Sequence, residues 1–150
     1  MNQIDSLLQG PDEGEVISAR GNRIVIKSAS ASQLVCEYTA PPQFAGPPLH
    51  VHPGFDELFL GVDGELEVRI REEALELASG ASAYVSGSTP HTFSNPGLAP
   101  VRFMLVCSPG GWEHFFRAVA VGDASRIAAI SERFGYTEVP VVERIMGGVA

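Results

Sequence analysis

Apolar and polar residues alternate in short runs over residues 16–108 of this chain. The clearest run is 65–71, where Leu66, Val68 and Ile70 alternate with charged residues. Residues two apart in a strand project from the same face, so this strand buries one face and turns the other to water. Such strands are predicted at 16–20, 23–28, 33–39, from Glu57 onward, and at 65–71, 74–78, 81–85, 91–95 and 101–108. Short strands at this spacing are typical of an all-β sandwich or barrel, and the double-sheet jelly roll is one such architecture.

Two connections in this part of the chain have recognisable turn chemistry. Gly21-Asn22 separates the first two predicted strands, which predicts a tight hairpin turn at these two residues. A segment rich in proline and glycine covers residues 41–48, and we expect it to be a loop. Residues 1–15 are predicted to be an irregular lead-in.

The pattern changes to helical spacing after residues 109–111, Pro-Gly-Gly. One predicted helix follows, and its apolar face consists of Trp112, Phe115, Phe116, Val119 and Ala120, with Glu113, His114 and Arg117 on the polar face. A second helix is predicted from an N-cap at Asp123 to about Phe134, with Gly135 ending it. We expect both helices to pack against the barrel or across its mouth. Residues 139–146 are predicted to form a last strand or a tail.

The length of 150 residues indicates one domain over 1–150, with a barrel core at about 16–108 and helices at about 111–135. The net charge is −8, and Lys and Arg are nowhere clustered. This charge pattern argues against nucleic-acid partners and against anionic membrane surfaces. No apolar run approaches the length that crosses a bilayer.

Two cysteines, Cys36 and Cys107, each lie inside an apolar strand. This placement favours two buried, reduced thiols in a cytoplasmic protein. The first residues contain no basic segment followed by an apolar one, so no signal peptide is predicted.

A candidate metal site lies in the segment that joins the loop to the central strands. His50 and His52 are two residues apart, so in an extended strand both rings project from one face. Pro53-Gly54 then predicts a turn, and a hairpin there brings the Glu57 carboxylate back beside the two rings. Two imidazoles and a carboxylate on one face are suitable ligands for a divalent transition metal. His91, farther along the chain, is a fourth candidate ligand.

These residues carry a resemblance to the small single-domain cupins. The first cupin motif, G-x5-H-x-H-x(3,4)-E-x6-G, is matched from His50 through Glu57 to Gly64, although its leading glycine has no counterpart at the required spacing. The second motif, G-x5-P-x-G-x2-H-x3-N, is matched at Gly80, His91 and Asn95. Its proline and inner glycine are replaced by Ser86 and Ser88, which leaves open whether the turn still delivers His91 to the site. For Asn95 we expect a role as a turn cap.

The resemblance implies a double-stranded β-helix, or jelly-roll, barrel with C-terminal α-helices. It also implies that His50, His52, Glu57 and His91 together bind one divalent transition metal, Fe, Mn, Ni, Co or Zn. Cupins with these ligands include dioxygenases such as quercetin dioxygenase, as well as isomerases and decarboxylases. The segment Pro-Gly-Gly-Trp-x-x-Phe-Phe is similar to one in quercetin-dioxygenase-like single cupins. We therefore expect an oxygen-dependent oxidoreductase for a small hydroxylated aromatic or enolic compound, in which Glu57 both ligates the metal and accepts a substrate proton.

Two alternatives stay open: a non-catalytic cupin that binds a metal or a small molecule, and a metal-dependent isomerase or lyase. The resemblance also implies a homodimer, because small cupins commonly pair through outer strands. Strand parity predicts the pocket, since Phe59 shares a face with Glu57 and Phe93 shares a face with His91, and Phe103 is a third candidate for its wall. The predicted pocket is apolar and contains no lysine or arginine for a phosphate group.

Overall fold

A computed structural model of the protein describes residues 7–140. Eleven strands and two helices follow one another in these residues. In chain order they are β1 Glu15–Ala19, β2 Asn22–Ala29, β3 Leu34–Ala40, β4 His50–Val51, β5 Asp56–Asp63, β6 Leu66–Ile70, β7 Glu73–Leu77, β8 Ser82–Val85, β9 His91–Ser94, β10 Val101–Ser108, α1 Glu113–Val121, α2 Ala124–Phe134 and β11 Thr137–Glu138. The predicted strands and helices are therefore confirmed, with ends shifted by one or two residues. Of the predicted element at 139–146, residues 141–146 lie outside the described part of the chain.

The strands form two antiparallel sheets, as expected for a jelly roll. One sheet has six strands in the order β1-β2-β3-β10-β5-β8, and the other has five in the order β11-β4-β9-β6-β7. Consecutive strands β5 and β6 belong to different sheets, as do β9 and β10, so the chain crosses between the two layers repeatedly. This crossing encloses one interior between the sheets.

The interior is filled by the inward residues of alternating strands. In β3 and β10, which pair along their whole length, every second residue is buried. Phe59 of β5 and Phe103 of β10 are fully buried at the centre, and their rings lie 5.9 Å apart. Cys36 and Cys107 are free thiols within the same core, and burial raises the pKa of Cys36 to about 12. The prediction of buried, reduced cysteines is confirmed.

The first hairpin turns one residue earlier than the sequence predicts. Ala19 pairs with Asn22, so the two turn residues are Arg20 and Gly21, with φ values of 52° and 81°. A two-residue hairpin turn of type I′ requires positive φ at both of its residues. Asn22 is therefore the first residue of β2, and its side chain is buried instead of lying in an exposed turn.

The two helices close one end of the barrel. Asp123 caps α2 by accepting a hydrogen bond from the backbone N–H of Arg126, and Gly135 ends the helix in a left-handed conformation, as predicted. Arg117 on α1 forms a two-pronged ion pair with Glu15 on β1, which attaches the helix to the barrel edge. Glu113, predicted on the polar face of α1, is instead buried, because its carboxylate accepts the Gly111 N–H at 2.9 Å. Within residues 7–140, neither helix has the length and apolar character needed to cross a membrane.

Candidate metal centre

Three histidines and one glutamate come together inside the barrel, although they belong to different strands. His50 on β4 lies opposite His91 on β9 in the strand register, and His52 follows directly after β4. Glu57 reaches the same point from β5 in the other sheet. All four residues are at most 6% exposed. Four polar side chains that are buried at one point need hydrogen-bond partners or a bound ion.

Each histidine ring is oriented by a backbone carbonyl. The Nδ1–H group of His50 donates to the Pro48 carbonyl at 2.7 Å. In the same way, His52 donates to the Phe55 carbonyl at 2.9 Å, and His91 donates to the Thr89 carbonyl at 2.7 Å. A carbonyl oxygen can only accept, so the proton of each neutral ring is on Nδ1. The Nε2 lone pairs are therefore free and directed away from the backbone. Metal-binding histidines are commonly held in this way.

The ring nitrogens and the carboxylate converge at distances that suit one ion. One ligand atom from each histidine lies within 4.8 Å of the others. His52 Nε2 and His91 Nε2 are 2.9 Å apart, and Glu57 oxygens lie 3.1 Å from His91 Nε2 and 3.5 Å from His52 Nε2. Two ligands at right angles, each about 2.1 Å from a shared metal, are roughly 3 Å apart.

The donor chemistry supports the same fit. Two Nε2 lone pairs that face each other at 2.9 Å repel, and a cation that both nitrogens can bind removes the repulsion. Three imidazoles and one carboxylate match the preference of first-row transition metals. The residues present therefore fit a divalent transition metal, and the four predicted ligands are the ones that would hold it.

Charge coupling within the cluster sets its protonation. Burial opposes ionisation of Glu57, but hydrogen bonds and charge attraction from His52 and His91 outweigh it and lower the pKa of Glu57 to about 2. Burial also opposes protonation of His52, but its interaction with Glu57 outweighs that cost and raises the pKa of His52. For His50, burial dominates and lowers the pKa to about 4. Glu57 is thus a carboxylate at neutral pH, and a proton on His52 competes with a metal.

This competition predicts a pH-dependent metal affinity. Because the pKa of His52 is raised above 6.5, a metal must displace a proton from this ring at and below that pH. We expect the Zn²⁺ affinity of the metal-free protein to rise with pH and to fall by about tenfold for each unit of pH below the pKa of His52. Competition titrations against a coloured chelator between about pH 6 and pH 8 measure it. An affinity that does not change across this range would contradict the proton competition.

The turn before His91 delivers the ring to the site despite its unusual residues. Between Ser86 and Ser88, Gly87 packs on the loop that carries His52: its carbonyl accepts the His52 N–H at 2.7 Å. Its own N–H donates to the Asp56 carboxylate at 3.0 Å. With Ser86 and Ser88 in place of the proline and glycine of the motif, His91 still lies in the cluster.

Gly87→Ala is expected to destabilise this turn by roughly 2–3 kcal/mol, because a Cβ atom there would overlap the carbonyl oxygens of His52 and Phe55. The backbone between His52 and Phe55 has to move to relieve the overlap, so we also expect a weaker metal site. Urea unfolding and metal titration measure the two effects. Gly10→Ala is the matched control, since its Cβ would meet only the Glu13 side chain, at 3.6 Å or more. Equal stability of the two variants would contradict the packing described for Gly87.

A cavity of about 100 Å³ opens onto the cluster at His50, His52 and Glu57. This is room for one small organic molecule or several waters. Most of the wall is apolar or aromatic, and its remaining residues are Ala19, Arg20, Asn22, Tyr38, Phe44, Gly46, Pro47, Phe93, Leu105, Trp112, Phe115, Phe116, Val119 and Tyr136.

The wall differs from the predicted pocket in three ways. Phe93 is part of it, whereas Phe59 and Phe103 lie one layer deeper, each about 5.6 Å from the Phe93 ring. Arg20 is one of the lining residues, which corrects the expectation of a pocket without lysine or arginine. The apolar face predicted for the first helix packs on the barrel core, and four of its residues also form part of the wall: Trp112, Phe115, Phe116 and Val119.

Two aromatic residues beside the ligands were not singled out from the sequence. The Phe55 ring stacks on His52 with centroids 3.8 Å apart, and Tyr136 stacks on His50 at 4.9 Å. Both contacts limit how the imidazoles can tilt. Phe55 precedes Glu57 by two residues and could have been found by strand parity, whereas Tyr136 follows α2 and no local pattern points to the site.

Asn95 takes the structural role that was expected of it. Its amide donates to the Pro41 carbonyl at 3.0 Å and to the Ala99 carbonyl at 2.8 Å, and its side-chain oxygen accepts the Gly97 N–H. It holds two loops together and does not line the cavity.

Comparison with known proteins agrees with this geometry. Residues 36–107 match the family model described as "Cupin domain". This part of the chain is a cupin domain, and the barrel has the cupin fold. No curated protein sequence matches this cupin.

Solved structures of other cupins and related barrels share the fold. TT1209 from Thermus thermophilus is 27% identical, with 67% of this chain and 87% of that chain covered and a TM-score of 0.53. An RmlC-like cupin from Shewanella frigidimarina is 15% identical, with 73% and 96% covered and a TM-score of 0.63. An uncharacterised conserved protein with a double-stranded beta-helix domain, from Klebsiella pneumoniae, is 24% identical, with 68% and 84% covered and a TM-score of 0.52. At 15% and 24% identity, the last two show the fold alone.

Proposed function

We propose that this cupin is a metal-dependent oxidoreductase of the dioxygenase type that acts on a small hydroxylated aromatic or enolic compound. The observation that carries the proposal is the convergence of three Nε2 atoms and one carboxylate on a cavity whose wall is mostly apolar or aromatic. A transition metal held by four protein ligands can retain two adjacent open positions, at which it supplies Lewis-acid or redox chemistry to bound molecules.

The protein's own residues would contribute orientation and proton transfer. The backbone carbonyls that hold the three Nδ1–H groups fix the imidazoles before any substrate binds. Glu57 is ionised at neutral pH because its pKa is lowered to about 2, so it can accept a proton from a substrate hydroxyl only where ionisation of that hydroxyl is itself stabilised in the site. We propose Glu57 as both ligand and proton acceptor.

The wall favours a flat, weakly charged substrate. Phe93, Trp112 and Phe115 offer aromatic surface on which a ring can pack, and helix α1 excludes water above it. The volume of about 100 Å³ favours a single ring over a large glycoside. We also propose a homodimer in solution, which size-exclusion chromatography with light scattering would test.

Metal content and oxygen uptake together test the proposal. The tag-free protein is analysed for metals by mass spectrometry, reconstituted with Fe²⁺, Mn²⁺, Ni²⁺ or Co²⁺, and screened with catechols, hydroquinones and enediols in an oxygen electrode. Metal-dependent oxygen consumption with at least one substrate class is the expected result. Metal binding without oxygen uptake, or anaerobic turnover with Zn²⁺, would replace it with a binding protein or with an isomerase or lyase.

A further inference from the structure

We propose that Asn22 orients the substrate: its side-chain oxygen accepts a hydrogen bond from a hydroxyl group that the substrate carries in addition to its metal-binding oxygen. The inference rests on the proposed function, because it names a second polar feature of the same substrate. It concerns a part of the cavity wall that belongs to the first hairpin and not to the metal cluster.

The backbone directs the Asn22 side chain into the barrel. Asn22 begins β2 and shares a strand face with Ile24 and Ile26, both of which are buried in the core. The residue itself is only 2% exposed and is part of the cavity wall. It projects from the six-stranded sheet, whereas His50 and His91 project from the five-stranded sheet. A molecule in the cavity is therefore contacted by polar groups from both layers.

Two carbonyls determine which end of the Asn22 amide is available. The Nδ2 group donates to the Ala19 carbonyl at 3.1 Å and to the Arg20 carbonyl at 3.4 Å. The reversed amide would place its oxygen against both carbonyls, and acceptors do not bond to acceptors. The side-chain oxygen is thus held as an acceptor by the geometry of the turn.

That oxygen has no partner in the protein. Within residues 7–140, Asn22 Oδ1 is the one buried side-chain nitrogen or oxygen that makes no hydrogen bond. Buried acceptors are nearly always satisfied, so an exception in a cavity wall identifies a place where a ligand donor would bind. A hydroxyl group can supply that donor while its oxygen stays free to accept a hydrogen bond.

The consequence is discrimination between substrates with and without the second hydroxyl. A site that is built to bond a hydroxyl rejects the analogue that lacks it, since the buried acceptor then stays unpaired. We expect the compound with the extra hydroxyl to bind about tenfold more tightly than its analogue.

Binding of matched phenols tests the inference. The two members of each pair differ by one hydroxyl group, which lies farther from the phenol ring in each successive pair. The pairs are hydroquinone and phenol, para-hydroxybenzyl alcohol and para-cresol, and tyrosol and para-ethylphenol. Trp112, the single tryptophan of the chain, lies in the cavity wall, so quenching of its fluorescence reports binding without any turnover. Wild type, Asn22→Ala and Asn22→Asp are titrated with metal bound, and Arg23→Ala, an exposed neighbour, is the control for the hairpin.

At least one pair should show the tenfold preference in wild type and in the Arg23→Ala variant. Asn22→Ala should lose the preference, and so should Asn22→Asp, because its carboxylate has no N–H group for the Ala19 and Arg20 carbonyls that fix the side chain. If Asn22→Ala does not fold, the Asp variant and the wild-type pairs decide. Equal or absent quenching by both members of all three pairs would overturn the inference. Oxygen uptake without a pair preference would overturn the inference alone, whereas a pair preference without oxygen uptake would overturn only the proposed function.

Discussion

His52→Ala is expected to leave the purified cupin with little bound metal. The ring sits at the centre of the cluster, with its Nε2 atom 2.9 Å from His91 Nε2 and 3.5 Å from a Glu57 oxygen. Removing only an outer partner of a metal ligand costs about 10- to 100-fold in affinity, so the loss of the ligand itself should exceed about 100-fold. Metal analysis by mass spectrometry after dialysis against a weak chelator measures the effect.

His114→Ala is the matched control for this experiment. His114 lies on α1, its side chain is 43% exposed, and its neighbours are Glu113 and Arg117 rather than the cluster. The control should bind metal as wild type does. Equal metal content in the two variants would show that the four residues do not form a metal site, and it would remove the basis of the proposed chemistry.

Phe103→Ala should produce the largest loss of stability among the predictions, about 3–5 kcal/mol in the free energy of unfolding. The ring is fully buried on β10 and stacks on Tyr38 with centroids 4.9 Å apart. It also contacts the Phe93 and Phe59 rings, so its removal opens a void that strands in two sheets border. For a chain of this length the change corresponds to a fall of about 6–20 °C in the melting temperature.

Urea unfolding followed by fluorescence and circular dichroism measures this loss. Leu98→Ala is the control, because Leu98 is 84% exposed and its truncation should change stability by less than about 0.5 kcal/mol. A loss below about 1.5 kcal/mol for Phe103→Ala would mean that the core can relax around the void. In that case Phe103 would not be the support for Phe93 that the packing indicates.

The proposals for Glu57 and Asn22 assign different tasks to the two sheets. The candidate metal ligands His50 and His91 come from the five-stranded sheet, while Glu57 and Asn22 come from the six-stranded one. A substrate that contacts both groups would bridge the interior of the barrel. Helix α1 covers this interior, and its ion pair with Glu15 holds it there.

Strand parity predicted side-chain directions correctly where they depend only on residues close together in the chain. The alternation of Leu66, Val68 and Ile70 predicted β6, and the spacing of His50 and His52 predicted two rings on one face. These inferences hold because residues two apart in an extended chain share a face in any fold. The caps at Asp123 and Gly135 were predictable for the same reason, since they depend on a few consecutive residues.

Strand parity alone did not predict how far an inward side chain lies from the cavity. It places Phe59 and Phe93 on inward faces, and both do point inward. It does not say which ring meets the cavity and which lies behind it, because that depends on how far each strand stands from the cavity. The structure places Phe93 in the wall and Phe59 behind it.

The sequence by itself determined the all-β architecture, the two terminal helices and the four candidate ligands, because local periodicity and ligand spacing carry that information. Only the tertiary structure decided the rest of the site. The register that sets His50 opposite His91, the docking of α1 over the cavity and the stacking of Tyr136 on His50 join residues far apart in the chain. The burial of Asn22 followed from a one-residue shift of the turn, which makes Asn22 the first residue of β2 on the buried face that it shares with Ile24.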